Sequence, residues 1–304
     1  MNTTPSANQS HIRSYITLAL VAMIWGGTFV AGRILSPEIS GLFLATLRFL
    51  IASAALFLIF KLGRIPFVRP TAAQWCTLFL LGFFGIFLYN LFFFYGLKFT
   101  QASRASFIVA GNPAVIALIG FFRFRESLSI SKIAGIVCCL AGAFSIILLS
   151  RPDLSGGGED TLTGDLLIAG CVASWAVYTV FSRPVITALG PLVTVAYSIF
   201  AGTGLLLLAS LFTGSFTAEA AAALTMRDIL SLLFLGVIGS ALAYYFYYDG
   251  IGKLGATRTG VFIALNPLTA GLCGYFFLQE PLPGTVLAAG AVIICGIVLV
   301  NRGK

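Results

Sequence analysis

The sequence predicts an all-α membrane protein of ten transmembrane helices arranged as two five-helix inverted repeats. Three observations carry this. Hydrophobic residues fill 59% of the 304 positions and charged residues only 9%, against roughly 25% charged in a soluble domain. Apolar runs of about the 20 residues a spanning helix needs recur along the chain. The second half of the chain repeats the first.

The polar stretch through Arg13 precedes a first run near 16–35. It lacks a small-residue cleavage site and many more runs follow, so it reads as a membrane helix and not a removed signal peptide. The next four runs, bounded by charges, Pro and Gly, lie near 40–60, 74–96, 102–122 and 131–150. The longest polar interruption follows, Arg151 to Gly164, whose Ser155, Gly156, Gly157, Gly158, Glu159 and Asp160 give it the composition of a flexible linker. Five further runs lie near 164–182, 190–212, 229–249, 258–278 and 284–301. The chain therefore divides into a first repeat, 1–150, a linker, 151–163, and a second repeat, 164–304.

The repeat is visible residue by residue. At an offset of 154, Gly82 meets Gly236, Gly85 meets Gly239, Gly96 meets Gly250 and Arg104 meets Arg258. The same register aligns Asn112-Pro113 with Asn266-Pro267, Glu126 with Glu280, Leu128 with Leu282 and Gly142 with Gly296, while an offset of 150 aligns Trp25 with Trp175 and Arg33 with Arg183. Five is odd, so the second unit enters the membrane from the opposite side, the inverted repeat of secondary transporters. With the N-terminus inside, twelve Lys and Arg fall in cytoplasmic gaps and five in external ones, which places both termini in the cytoplasm. The net charge of +8 is thus topology information, with a lipid bilayer and not nucleic acid as the partner.

Enzyme signatures are missing: there is no G-x-S-x-G, H-E-x-x-H or Walker sequence, and the single histidine, His11, lies in the polar tail. The six cysteines (Cys76, Cys138, Cys139, Cys171, Cys273 and Cys295) fall in apolar stretches as small packing residues, and no metal or cofactor is expected. Every Asp and Glu lies at or beyond a helix end, so no buried carboxylate proton carrier is visible, and proton coupling, facilitated diffusion and exchange all stay open.

A solute site in such a repeat sits near the midplane, among polar or aromatic residues of mid-helix. Asn112 and Asn266 each precede a proline in the fourth and ninth helices, where the missing backbone bond frees carbonyls one turn back. Each Asn either contacts solute or bonds to the opened backbone. Arg48, eight residues into the second helix, either snorkels to a helix end or holds an anionic group of the solute. Trp25, Tyr89, Trp175 with Tyr178, and Tyr244 with Tyr248 are the aromatic candidates, the last two pairs sharing helix faces at i, i+3 and i, i+4. Gly135 and Gly142, with their repeat mates Ala289 and Gly296, mark close helix packing or a dimer contact, so a homodimer through the fifth and tenth helices is one reading.

Trp25-Gly26-Gly27-Thr28-Phe29 with Arg33, Arg48-Phe49, Ala102-Ser103, Asn112-Pro113 and Glu126-Ser127-Leu128 recur in part as Ala256-Thr257, Asn266-Pro267 and Glu280-Pro281-Leu282. In these motifs the chain resembles the ten-helix EamA-type members of the drug/metabolite transporter superfamily over nearly its whole length. The resemblance implies a bacterial inner-membrane exporter or facilitator of amino acids, related metabolites or drugs, working by alternating access around a central cavity. The second half has Ser198 where Arg48 falls in the first, and Trp175-Ala176 in place of Trp-Gly, which implies an asymmetric site. The rival solutes are drugs, nucleobases and phosphorylated metabolites. The rival class is a non-transporting membrane scaffold or receptor.

Overall fold

The structure, a computed structural model, describes residues 7–36, 38–99, 108–125, 127–150, 159–278 and 284–302. Among them every regular element is helical. In hydrocarbon each backbone polar group needs a partner within its own segment, which so apolar a chain meets with helices. The first half contains α1 (Ala7–Ile34), α2 (Gly41–Leu62) and α3, a rod over 72–99 made of Ala72–Gly82, a π-helical stretch Phe83–Leu88 and Tyr89–Phe99. It ends with α4 (Asn112–Phe124) and α5 (Ile130–Ser150).

The second half contains α6 (Glu159–Leu189) and α7 (Pro191–Phe212), then a short helical turn, Ala218–Ala222. α8 runs over 226–254 as Met226–Leu233, a π-helical stretch Phe234–Leu242 and Ala243–Leu254. α9 runs over 256–278 as Ala256–Gly260, a 3₁₀ stretch Val261–Leu265 and Asn266–Leu278, and α10 is Gly284–Arg302.

Six of these helices are long and apolar enough to cross a membrane: Ile12–Gly32, Gly41–Leu62, Ala72–Gly96, Leu162–Leu189, Pro191–Phe212 and Met226–Leu254. Asn112–Arg123, Ile130–Ser145 and Leu287–Arg302 are shorter apolar helices. Large apolar side chains such as Leu58, Phe122, Phe212 and Phe276 are exposed on these rods, the surface of a multi-pass membrane protein that meets lipid instead of water. Residues 100–107, the linker segment 151–158, Glu126 and 279–283 lie outside the described residues, and with them the Ala102-Ser103 and Glu280-Pro281-Leu282 motifs and the first turn expected for the fourth helix.

Local chemistry sets the ends. Gly190 and Gly255, at φ of 82° and 89°, adopt the left-handed backbone that ends α6 and α8. α6 runs seven residues beyond the expected 182, through Pro184 to Leu189, because a proline this close to a helix end removes only one backbone bond. Thr71 with Gln74 and Thr225 with Asp228 form capping boxes at the starts of α3 and α8. The two boxes are 154 positions apart, as are the ends of the two π-helical stretches, Leu88 and Leu242.

Two helix pairs that join the halves, α2 with α7 and α5 with α10, run antiparallel. On α2 and α7, Thr46 Oγ1 meets Ser210 Oγ at 3.0 Å while Ser53 Oγ meets Thr203 Oγ1 at 2.9 Å. On α5 and α10, a Cβ at Gly135 would meet the Gly296 carbonyl at 2.6 Å, and one at Gly142 the Ala289 carbonyl at 2.7 Å. The small faces of α5 and α10 thus bring these helices together within one chain. Contacts also map between halves: Gly96 lies on Ile168 as Gly250 lies on Leu18, and Gly82 on Ala201 as Gly236 on Ile51.

Candidate functional site

Five helices bring their aromatic residues to one place in the interior. The Trp25 ring of α1 meets Trp175 of α6 edge to face at 5.4 Å, Tyr244 of α8 at 6.0 Å and Tyr247 of α8 at 5.2 Å. Trp175 also contacts Tyr89 of α3 at 5.7 Å, Tyr178 at 5.3 Å and Tyr244 at 5.4 Å. Tyr178 stacks obliquely on Tyr248 at 4.9 Å, and Phe49 of α2 closes on Tyr244 at 6.2 Å. Such ring pairs favour edge and tilted geometries, each adding about 0.5–1.5 kcal/mol beyond the area buried.

The sequence candidates Trp25, Tyr89, Trp175, Tyr178, Tyr244 and Tyr248 therefore meet. Tyr247 joins them and was not among the site candidates. It follows Tyr244 by three positions and precedes Tyr248 by one, so the helical face holding those two also holds Tyr247.

Three of the tyrosine hydroxyls find protein partners. Tyr247 Oη and Thr179 Oγ1 are 3.2 Å apart, Tyr248 Oη donates to the Tyr178 carbonyl at 3.3 Å, and Tyr178 Oη lies 3.5 Å from Ser198 Oγ. The rings fill the centre themselves. A shallow cleft between α1, α8 and α9, lined by Leu18, Val21, Ala22, Trp25, Tyr247, Phe262 and Ile263, reaches them from one side and has no room for even a water. A solute therefore needs this side of the cluster to open.

The π-helical stretch of α8 supplies the polar anchors. Its wide turn re-aims backbone and side chains between the surrounding helices. The Gly239 carbonyl accepts the Trp25 indole N–H at 3.1 Å, and the next residue, fully buried Ser240, accepts Arg48 Nε–H at 2.8 Å through its hydroxyl. The Arg48 guanidinium also lies over the Phe49 ring at 5.3 Å, and Phe49 in turn packs on Tyr244. It points to α8 inside the bundle, and among the described residues no carboxylate pairs with it.

Asn112 and Asn266 do not join the rings by any hydrogen bond among the described residues. Each opens the α-helical part of its rod, after a turn at 110–111 in one case and the 3₁₀ stretch in the other. Asn112 Nδ2 donates to the Val109 carbonyl at 3.0 Å, the local repair of an opened backbone, while Oδ1 of both asparagines is buried without a partner. In α9, Thr269 Oγ1 reaches the Leu265 carbonyl one turn back at 3.1 Å and the Ala22 carbonyl of α1 at 3.0 Å.

One end of the bundle carries a separate polar cluster. Asp228, fully buried at the start of α8, accepts from the Ser36 N–H at 2.8 Å and hydroxyl at 2.9 Å, and from the Thr225 N–H at 2.9 Å and hydroxyl at 2.6 Å. It ties the connection between α1 and α2 to α8.

The same chain matches the EamA-like transporter family twice, over residues 12–148 and 162–302. An uncharacterized transporter of Archaeoglobus fulgidus is 28% identical, over 94% of this chain and 96% of its own. The uncharacterized transporter YetK of Bacillus subtilis is 26% identical, over 93% and 85%. A probable terminal-alkyne amino-acid exporter of Streptantibioticus cattleyicolor is 25% identical, over 94% and 92%. A crystal structure 23% identical superposes with a TM-score of 0.78 over 93% of this chain and 94% of that one, which shows a shared fold. These relatives point away from enzyme activity and toward transport. Matched once in each half, the chain belongs to the EamA-like transporter family.

Proposed function

We propose that this protein exports amino acids or related small metabolites across the cytoplasmic membrane of a bacterium by alternating access at the aromatic centre. Its ten helices form two inverted repeats, 1–150 and 164–304, joined by the linker 151–163, with both termini in the cytoplasm. Support for the inversion comes from residues equivalent by repeat that touch across antiparallel helices, Ser53 with Thr203 and Cys139 with Ile293. A two-fold that exchanges antiparallel helices lies across them, in the membrane plane. A homodimer, the other use suggested for α5 and α10, would engage their lipid-facing sides, since their small faces already meet each other.

The observation that carries the functional reading is a cation inside the bundle that no carboxylate among the described residues pairs with: Arg48, anchored on Ser240 and lying over the Phe49 ring, which packs on Tyr244. A guanidinium inside a membrane protein costs a few kcal/mol unless it has a task there. An anionic group supplies its partner, and the rings supply apolar contact for the rest of the solute. Trp25 and Trp175 occupy equivalent places on α1 and α6, so rocking of one half against the other opens the cluster to each side in turn.

Reconstitution tests this. Purified protein in liposomes should move one or more of a labelled amino acid panel down its gradient, faster than protein-free liposomes. A folded protein that moves no amino acid, nucleobase, sugar or cationic dye would return weight to the scaffold reading.

A further inference from the structure

The equivalence of the two halves fails at one polar atom of the cluster. Trp25 and Trp175 are repeat mates, yet the Trp25 indole N–H is bonded to the Gly239 carbonyl while Trp175 Nε1 is buried without an acceptor. Exchange of the halves would offer Trp175 the carbonyl of Gly85. There the Tyr178 ring packs directly against the glycine, where Gly239 is approached most closely by the methyl group of Thr28. The Tyr247 hydroxyl lies nearby but outside bonding geometry to Trp175, and bonds Thr179 instead. A buried donor left unmade is rare in a native interior and calls for a partner that arrives with a ligand.

A second group at the cluster is likewise a pure donor. Arg48 uses Nε on Ser240, and its two Nη nitrogens have no partner among the described residues and are not sealed from solvent. Phe49 and Tyr244 connect the two groups: the Arg48 guanidinium lies over the Phe49 ring, Phe49 packs on Tyr244, and Tyr244 packs on Trp175. Neither an indole N–H nor a guanidinium accepts a hydrogen bond.

We propose that the Trp175 indole N–H and the Arg48 guanidinium together bind a carboxylate of the solute, and that Trp175, not Trp25, is the tryptophan that sets specificity. Two donor groups match the two oxygens of a carboxylate, and one positive charge matches its single negative charge. A phosphate dianion would leave a buried negative charge uncompensated. The inference rests on the cluster being the solute site of the transporter reading, and it is tested by binding, independently of flux.

Titration calorimetry on purified protein in detergent, with phenylacetate, phenethylamine and phenyl phosphate as ligands, separates carboxylate, amine and phosphate recognition on one ring. Phenylacetate should bind the wild type more tightly than either other ligand. Trp175→Phe, which keeps an aromatic ring and removes the N–H, should weaken phenylacetate about tenfold, the loss of one hydrogen bond to a charged group. Phenethylamine should change by less than about twofold. Trp25→Phe, whose N–H is already bonded within the protein, should show no such carboxylate-selective loss. Wild type that prefers phenyl phosphate or phenethylamine, or that binds none of the three, overturns the proposal, as does Trp175→Phe with unchanged phenylacetate affinity. Phenylacetate binding with no flux in liposomes would overturn the transporter reading and leave this one standing.

Discussion

Replacing Asp228 with alanine should cost about 2–4 kcal/mol of stability. The carboxylate accepts four hydrogen bonds in a solvent-shielded position. The one from the Thr225 N–H belongs to the capping box, for which loss of a cap is worth about 1 kcal/mol, and the Thr225 hydroxyl bond goes with it. The two from Ser36 hold the connection between α1 and α2 onto α8, and bonds to a charged acceptor run about 1.5–3 kcal/mol each. These terms sum to about 4–7 kcal/mol, and removing a buried carboxylate also removes its own desolvation cost of a few kcal/mol, which brings the net to about 2–4 kcal/mol. Ser36→Ala deletes only the hydroxyl bond and leaves the Ser36 N–H on Asp228, so about 1 kcal/mol is expected. Because that hydroxyl has no acceptor once Asp228 is gone, Ser36→Ala in the Asp228→Ala background should add less than about 0.5 kcal/mol. Equilibrium unfolding of the purified protein in detergent, for the wild type, both single variants and the double variant, measures the cycle. Simple additivity, or an Asp228→Ala protein as stable as the wild type, would refute the reasoning.

Three further perturbations have defined outcomes. Gly296→Ala should cost about 1–3 kcal/mol by unfolding in detergent, since its Cβ would meet the Gly135 carbonyl at 2.6 Å and the Cys139 backbone nitrogen at 2.8 Å, neither able to yield. Tyr247→Phe keeps the ring packing on Trp25 and loses the bond to Thr179, so it should cost only about 0.5–1.5 kcal/mol. Gly85→Ala drives a methyl group into the Tyr178 ring, so a variant that still assembles in the membrane should lose solute binding to the cluster, read by titration calorimetry.

Much of the fold was legible because the bilayer imposes it. Apolar runs of spanning length gave the helix positions, and the repeat aligned Trp25 with Trp175, which do meet. The glycines of α5 showed where a backbone must approach, though which partner they approach was a tertiary question, answered by α10. The π-helical stretches Phe83–Leu88 and Phe234–Leu242 carry Gly85, Gly236 and Gly239 among apolar residues, a pattern shared by ordinary close-packed helices, so the shift in bonding was not legible in the sequence. Arg48 was visible as a cation in a span, but its direction depends on Ser240, 192 positions away. Asn112 and Asn266 carried the same sequence signal as a site residue, and only the structure showed Asn112 bonding to the backbone its own Pro-break opens. Tyr247 was passed over because tyrosines were compared in pairs rather than as a face of three.

The most direct test of solute movement at this centre compares flux of labelled amino acids in proteoliposomes between the wild type and Arg48→Ala, with and without a pH gradient. The account predicts that the wild type transports at least one of them and that Arg48→Ala, still folded by gel filtration, loses more than about 90% of that flux, in keeping with loss of a charge-assisted contact. Equal flux in Arg48→Ala and wild type would contradict it.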